Sequence, residues 1–222
     1  MNDLFPLPHL HDRIDGLAKR MTGQPVIGLS VQAGGGKSTV AGILERDHGY
    51  TAIEFATPLK RAAQAMFGLT DAQAFGDSLK HRVVAHVGLT PREIFQRLGD
   101  EVARTHIDTD IWLHRAIREM HDVLDEAGEA APIVITDVRY TNEADLVRAL
   151  GGHLWHIQGP TRRGNEYDDR PTDTTHPSEA GLPIAADDRV LINEDTLDVL
   201  RRQVGQTLET GRALSDDDGM SP

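Results

Sequence analysis

The stretch that most restricts how this chain can fold runs from Pro25 to His48. Pro25-Val26-Ile27-Gly28-Leu29-Ser30-Val31 is almost continuously apolar, the pattern of a strand buried on both faces. The glycines Gly34, Gly35 and Gly36 follow, then Lys37, Ser38 and Thr39. From Lys37 to His48 the apolar residues Val40, Ile43 and Leu44 recur at helical spacing, and Gly49 supplies a stop. A glycine turn between a strand and a helix aims successive N–H groups at an anion. The helix adds its positive N-terminal end. In the motif G-x-x-x-x-G-K-[ST] the lysine reaches the β- and γ-phosphates of a nucleoside triphosphate and the hydroxyl binds Mg²⁺. Those roles fall here on Lys37 and Ser38. One position departs: the first glycine of the motif is replaced by Val31, whose β-branch restricts the backbone at the turn entry.

The rest of the chain alternates strands with helices. Thr51 to Phe55, Pro132 to Thr136, His153 to Gln158 and Arg189 to Asn193 read as strands. A helix is expected before the first strand, with Ile14, Leu17, Ala18 and Met21 on one side. Thr57-Pro58 opens a helix as N-cap and first-turn proline, and Gly68 closes it. Residues 71–88 read as a short helix and a loop. Thr90 with Glu93 forms a capping box for a helix carrying Ile94, Phe95, Leu98 and Val102 inward. Asp110 caps a longer helix with Leu113, Ala116, Ile117, Met120 and Leu124 in register. Asn142 to Leu150 and Leu197 to Leu208 are two more helices. Such alternation predicts one α/β domain with a parallel sheet of about five strands, helices on both faces, and ligands at the carboxyl ends of the strands. The expected organisation is an N-terminal extension (1–24), a phosphate-loop domain (25–210) and an acidic tail without order (211–222). Within the domain, about 159–183 lacks periodicity and reads as a mobile lid.

Composition excludes several classes. The 222 residues carry a formal net charge of −12, against the basic surface that binding to a nucleic-acid duplex requires. A small anionic ligand needs only a local cluster of cations. Cysteine is absent, which removes disulfides and thiolate metal sites. No apolar run is long enough to span a bilayer, and the N-terminus lacks the pattern of a signal peptide, so the expectation is a cytoplasmic protein. His9, His11, His153 and His156 lack metal-ligand spacing with acids.

Several ordered segments together carry a resemblance. They are Ile27-Gly28-Leu29-Ser30 with the Gly-Lys-Ser-Thr loop, Phe55-Ala56-Thr57-Pro58-Leu59-Lys60, and Thr90-Pro91-Arg92 leading to Gln96-Arg97-Leu98-Gly99-Asp100-Glu101. Asp110-Ile111-Trp112, Thr136-Asp137-Val138-Arg139-Tyr140 with Asn142-Glu143, and His176-Pro177-Ser178-Glu179-Ala180-Gly181-Leu182-Pro183 complete the set. In these the chain resembles the deoxynucleoside monophosphate kinases of bacteriophages, from Val26 to about Leu200. It departs from them at Val31, at Asp100 where threonine is frequent, and in the N-terminal extension. The resemblance implies a nucleoside-monophosphate-kinase-like fold and transfer of the ATP γ-phosphate to a deoxynucleoside 5′-monophosphate, with Mg²⁺. It is compatible with a homodimer and with the cytoplasm of a bacterial host.

For this reaction the acceptor is already an anion, so catalysis is positioning and charge neutralisation. That predicts many cations and few carboxylates at the centre. Lys37, Lys60, Arg92 and Arg139 are the candidates, with Asp137 beside Arg139 at a strand end holding Mg²⁺ water or sugar, or forming an ion pair. Gly34, Gly35, Gly36, Lys37, Ser38 and Thr39 form the ATP loop, with Ser38 on the metal. By the resemblance, Lys60, Arg92, Trp112, Asp137, Arg139, Tyr140 and Glu143 line the acceptor nucleotide. Arg162, Arg163, Arg170, His176 and Glu179 are the lid set. Residue by residue, plainer readings compete: Lys60 as a solvated lysine, Trp112 as core packing, Glu143 as a first-turn acid favoured by the helix dipole. Two other functions compete as well: a phosphate-loop kinase acting on a hydroxymethylated base within DNA, and a nucleotide-binding module without catalysis. The sequence leaves the accepted base open.

Overall fold

The computed structural model describes residues 9–31, 36–76, 78–129, 131–159, 176–194 and 196–217. The strands are β1 (Val26–Val31), β2 (Thr51–Ile53), β3 (Ile133–Ile135), β4 (His153–Gln158) and β5 (Arg189–Ile192). They form one sheet in the order β2-β3-β1-β4-β5, with every pair parallel. β3 is apolar and buried at each of its residues, as a central strand covered on both faces must be.

Helices cover both faces. On one side α1 (Leu10–Arg20), α6 (Ile111–Ala127) and α7 (Thr141–Ala149) enclose a core that includes Leu17, Met21, Leu113, Ile117, Met120, Leu146 and Val147. The segment read as an extension therefore contributes Leu17 and Met21 to the main core. On the other side α2 (Lys37–His48) and α8 (Leu197–Asp217) enclose Val40, Ile43, Leu44, Leu200 and Val204. A smaller cluster of Ala63, Leu69, Val84 and Ile94 lies under α3 (Ala56–Phe67), α4 (Asp71–Ala74) and α5 (Pro91–Gln96).

Five local expectations need correction. β2 ends at Ile53, before Phe55, because the Phe55 and Ala56 N–H groups turn to the Asp137 carboxylate at 2.9 and 3.0 Å. α3 accordingly begins at Ala56, and Thr57 is not its cap: the Thr57 hydroxyl donates to Glu54 Oε2 at 2.8 Å. Asp110 stands at the N-cap of α6 without a side-chain cap bond, and accepts instead from Asn142 Nδ2 at 2.8 Å. Val102 is exposed. After Gln96 the helix widens into a π-helical run, Arg97–Ile107, whose i→i+5 winding puts Gly99 and Ala103 inward in its place. α8 continues past Leu208 to Asp217, through residues that favour helix such as Arg212, Ala213 and Leu214. The Thr90–Glu93 capping box forms as read, with Glu93 N–H donating to Thr90 Oγ1 at 3.2 Å and Thr90 N–H to Glu93 Oε2 at 2.7 Å.

Candidate active site

Strand order brings the site together. β2, β3 and β1 are neighbours, so the chain leaving their carboxyl ends emerges at one place. β2 delivers Glu54, β3 delivers Asp137 and Arg139, and β1 leads to Gly36 and Lys37. Val31 is the last residue of β1 and is still paired with Ile157 of β4. A β-branched residue favours that extended conformation, so Val31 continues the strand. Gly34 and Gly35 lie outside the described residues. Gly36 forms the N-cap of α2 at φ 92°, where a side chain is strained, and a Cβ there would fall 2.0 Å from Asn193 Nδ2. Ser38 and Thr39 lie exposed in the first turn of α2.

The cavity at these strand ends measures about 180 Å³. Lys37, Lys60, Arg92 and Arg139 all face it, from α2, α3, α5 and the β3–α7 connection. So do Trp112, Asp137, Tyr140, Glu143, His176 and Glu179. The predicted acceptor-site residues are thus gathered in one wall. Arg162 and Arg163, like Arg170, lie outside the described residues.

The expectation of few carboxylates does not hold. Glu54, which the sequence reading missed, accepts from Lys60 Nζ at 3.2 Å and from the Thr57 and Thr136 hydroxyls at 2.8 and 3.4 Å. Burial raises its pKa, but Lys60, the Thr57 hydroxyl and Lys37 outweigh burial and hold it below the usual carboxylate range. An acid at the end of a strand in a parallel sheet was the available signal. Burial likewise pulls the Lys37 ammonium below the usual lysine range. Arg139 and Lys60 add repulsion, while Asp137 and Glu54 oppose it. Phosphate oxygens entering the cavity would restore that charge.

Asp137 joins β3 to the start of α3. Each of its oxygens accepts one backbone N–H, so the carboxylate caps that helix while facing Lys37 and the cavity. Glu143 is almost fully buried and accepts from the Arg139 and Tyr140 N–H groups at 2.8 and 3.1 Å and from Arg104 Nη2. It shapes the loop that carries Arg139. Burial pushes its carboxyl up to about 7 despite those three donors. Arg104, also missed, lies over the Tyr140 ring with Cζ 4.0 Å from the centroid, and Asp100 stands 3.7 Å from its Nε. No sequence signal links Arg104 to Glu143, since the pair meets only through the fold. Burial, with Asp100 nearby, raises the Tyr140 phenol.

Trp112 donates from Nε1 to the Gly99 carbonyl at 3.1 Å and packs against the core, leaving part of its ring on the cavity. At the far wall Ser178 N–H donates to His176 Nδ1 at 3.2 Å, which fixes the proton of a neutral ring on Nε2, 3.4 Å from Asp100 Oδ2. Glu179 Oε1 lies 2.5 Å from Arg92 Nη2 and 2.8 Å from Arg139 Nη1. Among the described residues no group of three or more His, Asp or Glu is placed to hold a metal ion by itself. No helix among them is long and apolar enough to cross a membrane.

A parallel α/β sheet with Gly36 and Lys37 at the start of the helix after β1, and five Lys and Arg side chains around one cavity, defines a phosphate-loop phosphotransferase. Comparison with known proteins narrows the class. The family model for deoxynucleotide monophosphate kinase matches residues 77–204. A putative deoxynucleotide monophosphate kinase of Acanthamoeba polyphaga mimivirus is 35% identical over 189 residues, covering 81% of this chain and 93% of that protein. The deoxynucleotide monophosphate kinase of Enterobacteria phage T4 is 27% identical over 118 residues, covering 53% of this chain and 45% of that enzyme. Among solved structures the chain is similar to a sugar kinase from Janibacter sp. at 16% identity and a TM-score of 0.45, covering 84% of this chain and 95% of that one. The chain belongs to the deoxynucleotide monophosphate kinase family and is a nucleotide kinase.

Proposed function

We propose that the chain moves the γ-phosphate of ATP to the 5′-phosphate of a deoxynucleoside monophosphate, releasing ADP and the deoxynucleoside diphosphate. The observation that carries the reading is the convergence of Lys37, Lys60, Arg92 and Arg139 on one cavity from four different elements. An attacking phosphate oxygen is already deprotonated, so the bond to γ-phosphorus forms as the β,γ-bridging bond breaks without a general base. Lys37, at the positive end of α2, neutralises charge on the donor phosphates. Arg92 and Arg139 hold the acceptor phosphate, and Lys60, tethered by Glu54, adds a movable charge between the two. Trp112 and Tyr140 wall the base.

The donor set fits Mg²⁺ brought in on the triphosphate, an ion that keeps few protein ligands. Ser38 Oγ would hold it, with Asp137 and Glu54 accepting from its waters. Mg²⁺ bound there supplies charge neutralisation of the β- and γ-oxygens. Expression in the cytoplasm of a bacterial host, in support of phage DNA synthesis, completes the reading.

The experiment is conversion of each deoxynucleoside monophosphate by purified protein with Mg²⁺-ATP, followed by separation of the diphosphates. At least one is converted, and Lys37→Ala lowers kcat by about 10²–10³-fold or more while circular dichroism stays unchanged. A wild-type protein that converts no deoxynucleotide, or near-normal turnover by the variant, would refute the reading.

A further inference from the structure

We propose that Glu179 is a positioning residue whose single oxygen Oε1 ties Arg92 and Arg139 into one cradle for the acceptor phosphate. The proposal rests on the kinase reading above and deepens it.

Arg92 comes from the first turn of α5 and Arg139 from the connection after β3. Among the described residues no backbone hydrogen bond joins Arg92 to Arg139. Two guanidinium groups left alone in one cavity repel each other, at a cost that grows as water is excluded. Glu179 removes that repulsion: its side chain is 8% exposed, and Oε1 faces Arg92 Nη2 at 2.5 Å and Arg139 Nη1 at 2.8 Å. The carboxylate is itself held. The Ser178 hydroxyl lies 3.3 Å from Oε1, and the Ser178 carbonyl accepts from Arg139 Nη1 at 3.2 Å. The turn Pro177–Glu179 that carries it is capped by His176.

The arrangement leaves donors over. A guanidinium offers five N–H bonds in a planar fork. Glu179 engages one nitrogen of each arginine. Arg92 Nε and Nη2 are buried and make no hydrogen bond of acceptable geometry, Nη2 meeting Glu179 only as an ion pair. Buried donors left in this way on a cavity wall are costly unless a ligand completes them. A phosphate has the charge and the planar pairs of oxygens to do so. Two arginines and one carboxylate carry a net single positive charge, so a dianionic phosphate still finds an attractive site.

A rival role for the same contact is a placeholder, in which Glu179 occupies the phosphate position and must leave. The two roles predict opposite changes. In a cradle, Glu179→Gln releases the arginines from their common anchor and weakens phosphate binding. As a placeholder, the same change frees both cations and strengthens it.

The test uses the full-length protein. Steady-state kinetics of Glu179→Gln and Glu179→Asp are measured with an accepted deoxynucleotide and with ATP varied in turn. Calorimetry measures binding of the monophosphate and of its unphosphorylated deoxynucleoside. We expect Glu179→Gln to raise the deoxynucleotide KM and Kd by about 10-fold, to leave the ATP KM and deoxynucleoside binding unchanged, and Glu179→Asp to recover part of the loss. In an Arg139→Ala background, Glu179→Gln should cost far less than it does alone, because the link is already cut. An unchanged or lowered deoxynucleotide KM, or fully multiplicative losses in the double variant, would overturn the proposal. Failure of the kinase reading looks different: no turnover by the wild type at all, while the binding comparison still decides the role of Glu179.

Discussion

Charge at single residues sets two measurable properties of the site. Glu143 is protonated in the fold at pH values where an unfolded glutamate, with a pKa of about 4.3, has lost its proton. Its folded value near 7 lies above its unfolded one, so its contribution to stability is complete below about pH 4.3 and is lost as pH rises through about 7. Glu143→Gln is neutral throughout. The stability of the wild type relative to that variant should therefore fall between about pH 5 and 8, by roughly 1–3 kcal/mol in denaturant titrations. A difference that stays flat or rises would refute the assignment. Gly36 gives the second expectation. Gly36→Ala forces a side chain onto a left-handed backbone and against Asn193, so ATP binding should weaken by at least about 10-fold with little change in deoxynucleotide binding. Equal ATP affinity in equilibrium titration would show that the turn tolerates a Cβ.

At the scale of elements, the start of α3 is the joint that ties β2 to β3. Asp137 reaches across from β3 to cap it, and Lys60 stands in its second turn, paired back to Glu54. Asp137→Ala leaves two N–H groups uncapped. It should cost about 1–2 kcal/mol of stability and also reduce kcat, since Lys60 rides on the loosened helix. Loss of activity at unchanged stability would mean that Asp137 serves the reaction alone. The Thr90 cap is a control placed on α5: Thr90→Ala should cost about 1 kcal/mol and raise the deoxynucleotide KM more than that of ATP, because α5 carries Arg92. The π-helical run after α5 has a similar positioning effect. It brings Gly99 against Leu59 and presents the Gly99 carbonyl to Trp112.

The whole molecule is acidic, yet Lys37, Lys60, Arg92, Arg104 and Arg139 all line one cavity. Such a charge distribution favours a small anion and disfavours a polymer of phosphates. Offered Mg²⁺-ATP with free deoxynucleotides and with hydroxymethylated DNA, the protein should label only the mononucleotides. Label on the DNA alone would transfer the assignment to a kinase acting on the polymer.

The sequence by itself determined the layers and the order of β1, glycine and α2. Hydrophobic period and strand–glycine–helix order are local, so β1, α2 and the buried faces of α1 and α6 were legible from Val26, Val40, Leu17 and Ile117. It also placed Lys37, Lys60, Arg92 and Arg139 at element ends, where ligands bind. Only the tertiary structure decided what those cations meet. Asp137 as the cap of α3, Arg104 on Glu143, and Glu179 between Arg92 and Arg139 all join residues far apart in the chain. So does the outward turn of Val102, which depends on a π-helix packed against α3 and α6. Pairings of this kind have no period and no fixed spacing. They exist because strand order sets β2, β3 and β1 side by side, and that order is a property of the packed sheet.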